Sequence, residues 1–202
     1  GAGTFTGIVN YVNISAVATT ANVTNCLFNT TGSNILSTGN LTGIFQDATV
    51  TTLVNMKGNT VNVSRTAASG SVFFTSTSGT PSEVADTISN NNITFTGLAG
   101  TTAVTVISSL GGPTSPVVGN KSICGNTINV TGSNSGTIIG ITAAFTNTGN
   151  INANNITMST ASPNTTGITT SGTAMTMVNN TLSLTTSTTS LTSITGIAAS
   201  SG

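Results

Sequence analysis

The chain has 202 residues, three cations, three acids, no histidine and a formal net charge of zero. Its six charged side chains (Asp47, Lys57, Arg65, Glu83, Asp86, Lys121) cannot supply the phosphate neutralisation on which nucleic-acid affinity depends, nor a basic patch for an anionic membrane surface. Without histidine, triads, imidazole bases and most zinc sites are excluded.

Thr, Ser and Asn make up nearly half of the residues, yet 36% are hydrophobic. Disordered segments combine low hydrophobicity with high net charge, and this chain has neither. Its Val, Ile and Leu recur with period two, the signature of strands. No eighteen-residue apolar run is present, so no helix is expected to span a membrane.

In chain order, the first marker is Thr6-Gly7-Ile8, followed by Asn25-Cys26-Leu27, a degraded copy of a pattern that then recurs. Gly43-Ile44 repeats the first marker. Asn59-Thr60-Val61-Asn62-Val63 is the first full copy of Asn-x-Φ-x-Φ, where Φ is apolar. Segment 64–90 carries Gly79-Thr80-Pro81 with Glu83 and Asp86, and it is expected to project as a loop. The second copy is Asn91-Asn92-Ile93-Thr94-Phe95. Segment 99–120, with Gly111-Gly112-Pro113 and Pro116, is a second expected loop.

Asn126-Thr127-Ile128-Asn129-Val130, Asn154-Asn155-Ile156-Thr157-Met158 and Asn180-Thr181-Leu182-Ser183-Leu184 complete the series. They are interleaved with Gly140-Ile141, Gly167-Ile168 and Thr195-Gly196-Ile197, and Ala174-Met175-Thr176-Met177-Val178 reads as a further strand. From Asn59 on, the copies are spaced 32, 35, 28 and 26 residues apart. Periods of this size mean a solenoid, whose single turns cannot bury a core alone.

The expected fold is therefore all-β: a right-handed parallel β-helix of about six to seven coils, each of about 26–36 residues with three strands. Residues 1–202 form one solenoid domain, read as a segment of a longer or end-to-end stacked fibre. The recurrent Asn25, Asn59, Asn91, Asn126, Asn154 and Asn180 would sit at a corner that demands left-handed backbone and stack their amides into a ladder. The Gly of each Gly-Ile pair would open the next strand. Cys26 and Cys124 fall three coils apart, about 14 Å at ~4.8 Å per coil, which is too far for a disulfide.

No catalytic, cofactor or metal residues are expected. Glu83 and Asp86 stand alone as a close acid pair, and polysaccharide-cleaving sites need clustered acids with a base or metal. Asn-x-Ser/Thr sequons occur at Asn13, Asn22, Asn29, Asn40, Asn62, Asn92, Asn120, Asn129, Asn155, Asn164 and Asn179. They are glycosylation candidates, although a chain so rich in Asn, Ser and Thr generates most of them by composition. Thr-x-Thr occurs at Thr49, Thr75, Thr94, Thr146 and Thr186 at no fixed offset from the anchors, so a single threonine row on one face is not expected, nor is ice binding through it.

Segments such as Gly125-Asn126-Thr127-Ile128-Asn129-Val130-Thr131 and Ile139-Gly140-Ile141 give the chain a resemblance to the right-handed parallel β-helix repeats of large secreted surface proteins, the giant adhesin and fibre proteins of the Bacteroidota type. The resemblance implies an extracellular or cell-surface location and a structural role as a stiff rod, not an enzyme. It also implies self-association, end-to-end or side-by-side. The alternative is a carbohydrate-binding or tailspike-like module using loops 64–90 and 99–120 on surface glycans. No nucleic-acid partner and no membrane insertion are expected.

Overall fold

The computed structural model describes residues 9–14, 18–29, 40–46, 50–66, 71–77, 85–109 and 121–200. Among them every regular element is a strand. The first level of the stack consists of β1 (Val9–Ile14), β2 (Ala18–Thr24) and β3 (Leu27–Asn29). The second is β4 (Leu41–Gln46), β5 (Val50–Lys57) and β6 (Thr60–Ser64). The third is β7 (Ser71–Thr77), β8 (Ala85–Ser89) and β9 (Asn92–Leu98), and the fourth β10 (Ala103–Ser109), β11 (Lys121–Cys124) and β12 (Thr127–Gly132). The fifth merges its first two strands into β13 (Ile138–Asn152), followed by β14 (Asn155–Thr160). The sixth repeats that with β15 (Asn164–Val178) and β16 (Thr181–Thr186). β17 (Ser193–Ser200) pairs onto β15.

Every pairing is parallel and joins one level to the next. The first face runs β1-β4-β7-β10-β13-β15-β17, the second β2-β5-β8-β11 and the later halves of β13 and β15, the third β3-β6-β9-β12-β14-β16. This is a β-solenoid with three strands per level.

Inward residues stack into columns along the axis. Phe28, Val61, Ile93, Ile128, Ile156 and Leu182 are register partners on the third face, and Val23, Met56, Ile88, Ile123, Ile151 and Met177 on the second. All but Leu182 and Met177, on the sixth level, are buried. Each level therefore supplies half of an apolar interface whose other half is its neighbour, which is why the sequence repeats as a unit.

The structure corrects two expectations. Segment 64–90 is not one loop: it contains β7 and β8, the first- and second-face strands of the third level. Segment 99–120 likewise contains β10. Glu83, Gly79-Thr80-Pro81 and Gly111 to Pro116 lie outside the described residues. Asp86 belongs to β8, in register with Val54 and Lys121 on the neighbouring strands, so its backbone lies on a strand and not in a loop.

The glycine marker sits within strands, not at their starts. Gly140 and Gly167 are each followed by a second buried residue, Ile141 and Ile168, so the in–out alternation breaks there and the strand bends. A Cβ on Gly140 would stand 2.6 Å from the Gly167 carbonyl oxygen, and one on Gly167 2.6 Å from that of Gly196. Gly7-Ile8 lies outside the described residues.

Candidate functional site

The most ordered chemistry in the molecule is a spine of buried amides between the second and third faces. Asn59, Asn91, Asn126 and Asn154 are nearly inaccessible to solvent. Each Nδ2 donates to the Oδ1 one level on: Asn59 to Asn91 at 3.0 Å, Asn91 to Asn126 at 2.8 Å, Asn126 to Asn154 and Asn154 to Asn180 at 2.9 Å. Each Nδ2 also donates backward, to the carbonyls of Val23, Met56, Ile88 and Ile123 respectively, and Asn180 does the same to Ile151. Each Oδ1 accepts a second bond, from the backbone N–H of the anchor one level earlier.

The inner amides thus use two donors and two acceptors, the full capacity of an asparagine side chain. One amide ties three consecutive levels together. Unmet polar groups in such a dry position would cost about 1–3 kcal/mol each, and bonded amides in a chain polarise one another.

The ladder does not include Asn25. That residue stands one position earlier, at a left-handed corner with φ 54°. Cys26 takes the ladder position, and its backbone N–H donates to Asn59 Oδ1 at 3.0 Å. The left-handed backbone expected of the ladder asparagines belongs to the residues before them: Asn25, Gly58, Asn90, Gly125, Ala153 and Asn179, all at φ between 54° and 67°. Asn and Gly alternate over the first four of these. A Cβ on Gly125 would lie 2.3 Å from Asn90 Oδ1, and one on Gly58 2.5 Å from Asn25 Oδ1, so each corner amide leans over a glycine.

Other polar groups are dispersed. Arg65 is buried at the end of β6, where its Nη1 donates to the Ser71 carbonyl at 3.1 Å, and burial pulls its pKa below the usual guanidinium range. Lys121 is also buried, leaving Lys57 as the one exposed cation. Cys26 and Cys124 are free and half-buried, on different columns. Among the described residues no three His, Cys, Asp or Glu side chains cluster as metal ligands, and no helix is long and apolar enough to cross a membrane.

The sequon asparagines fall on all three faces. Asn22, Asn29, Asn40, Asn92, Asn155 and Asn179 are exposed, while Asn62, Asn129 and Asn164 are half-buried. Asn22 Oδ1 accepts from Asn55 Nδ2 at 3.3 Å, and Asn40 Oδ1 accepts from the Ser71 backbone N–H. Asn13 lies on β1, and Asn120 is outside the described residues.

No known protein family matches this chain, and neither a curated protein nor a solved structure does.

Proposed function

We propose that this chain is a structural segment of an extracellular fibre or cell-surface adhesin, a stiff rod that associates end-to-end by adding levels to its stack. The observation that carries this reading is the surface of the sixth level. Leu182, Leu184, Met175 and Met177 occupy core columns there but are only partly buried, and Val178, Leu191, Ile194 and Ile197 are exposed. A Cβ on Gly196 would meet only Leu182 Cδ1, at 3.6 Å, whereas Gly140 and Gly167 face a carbonyl of the following level.

That surface has the shape and polarity of the interfaces inside the stack, so a further level of the same repeat fits it, whether from continuing chain or from another copy. Unpaired parallel edges of this kind template strand addition, and near-zero net charge removes the repulsion that opposes association. The resemblance to β-helix repeats of secreted surface proteins points the same way. Both the absence of histidine and the burial of two of the three cations favour a mechanical role over catalysis or polyanion binding.

The test is negative-stain imaging and sedimentation of the purified chain across a concentration series. Rods that lengthen with concentration, and shorten in a Leu182→Lys/Ile197→Lys variant, are expected. Compact particles of one size at every concentration would remove the reading.

A further inference from the structure

From β6 to β16 the outward side of the third face is a regular array of short, uncharged polar side chains; at β3 the first column holds the exposed Leu27 instead. On β6, β9, β12, β14 and β16 the first outward position holds Thr60, Asn92, Thr127, Asn155 and Thr181, register partners from strand to strand. The next holds Asn62, Thr94, Asn129, Thr157 and Ser183, again in unbroken register. A third column runs as Ser64 with Thr96 and, past a register shift, as Thr131, Ser159 and Thr185.

Every one of these fifteen side chains is exposed or half-buried, and every one is Thr, Asn or Ser. A row at a fixed offset from the anchors therefore exists, although Thr-x-Thr alone does not reveal it, because the three residue types interchange within it. No hydrogen bond between described residues engages the side-chain amides of Asn62, Asn92, Asn129 or Asn155. In the corner spine, by contrast, the inner amides are fully used. The second face has one polar column of this kind (Asn22, Asn55, Thr87, Ser122, Asn150 and Thr176), but the column beside it alternates Lys57, Cys124 and Val178 with Ser89 and Asn152, so no polar grid of several columns forms there.

We infer that this face binds ice, the ordered oxygen lattice at the surface of a water crystal. Parallel pairing sets the grid at about 4.8 Å between strands and about 6.6 Å between alternate residues, dimensions of the same size as the oxygen repeats on the prism faces of hexagonal ice. A neutral lattice calls for a neutral face, and a strongly hydrated ammonium or carboxylate would hold its water in the wrong order. Threonine has few rotamers, and a backbone fixed in a ladder holds each hydroxyl and amide in place. Waters bridging such groups are already partly ordered, so joining a crystal costs them little further entropy.

Two other occupants fit less well. Neutral polysaccharides dock their sugar rings on aromatic platforms, and none of the fifteen positions is aromatic. Protein hot spots centre on Trp, Tyr and Arg in desolvated pockets, and the grid has none of these residues.

The experiment is ice-crystal shaping and recrystallisation inhibition by the purified chain, compared with Thr94→Tyr/Thr157→Tyr on this face and Thr176→Tyr on the second, with circular dichroism confirming that each remains folded. Faceted ice is expected from the parent chain and from Thr176→Tyr. The double variant should need at least about tenfold more protein for the same inhibition, the equivalent of 1.4 kcal/mol. Unshaped ice with the parent chain, or a double variant as active as the parent, overturns the inference. Retention on microcrystalline cellulose without any effect on ice would also overturn it, in favour of a neutral polysaccharide.

Discussion

The backbone N–H of Cys26 donates to Oδ1 of Asn59 at 3.0 Å, and the N–H of Asn59 makes the equivalent bond to Asn91 at 2.9 Å. Cys26 therefore stands in the spine without an amide to contribute. Cys26→Asn places a donor where Asn59 Oδ1 can accept it, and the gain from one well-aligned bond is about 1 kcal/mol. A higher urea midpoint at unchanged m-value is expected, and Cys26→Ser should leave it nearly where it is.

Removing an amide from the middle of the spine has the opposite effect. In Asn126→Leu the backbone N–H and Nδ2 of Asn91 lose their acceptor, and the Ile88 carbonyl loses its donor. Each buried orphan costs about 1–3 kcal/mol, so a total loss of at least about 3 kcal/mol is expected. Equilibrium denaturation would measure it. A loss below 1 kcal/mol would mean that the spine follows the stack and does not hold it.

Ala153 is the one corner residue that is neither Asn nor Gly, and it sits at φ 55°. Left-handed backbone costs an L-residue with a Cβ about 1 kcal/mol, and glycine escapes that cost. Ala153→Gly is expected to raise stability by about 0.5 kcal/mol or more despite the extra freedom of the unfolded chain. Gly125→Ala, meeting both a positive φ and Asn90 Oδ1, should destabilise. Thermal unfolding of the two variants side by side gives the sign of each effect.

The fold was legible because its two strictest demands recur at fixed spacing: Asn in the spine from Asn59 on, and an apolar residue in each inward column. Misreadings arose where a position tolerates several types. Reading by the letter Asn placed the first anchor at Asn25, since the left-handed corner accepts Asn, Gly or Ala and the first spine position holds Cys26. The first-face column marked by Gly43, Gly140, Gly167 and Gly196 is occupied at other levels by Phe74 and Val106, so β7 and β10 were hidden inside segments expected to be loops. The outward grid is hidden in the sequence for a similar reason. Solvent-facing positions constrain size and charge more than identity, and Thr94, Asn129 and Ser183 meet that constraint equally.

The spine also acts as a gauge of length. Successive anchors are separated by 32, 35, 28 and 26 residues, yet each step along the axis is one amide-to-amide bond. Chain can be gained or lost at the corners without moving any level above or below. A gene encoding such a molecule can accept small insertions and deletions within a turn while the distance spanned stays fixed. That distance changes only when a whole turn is duplicated or removed.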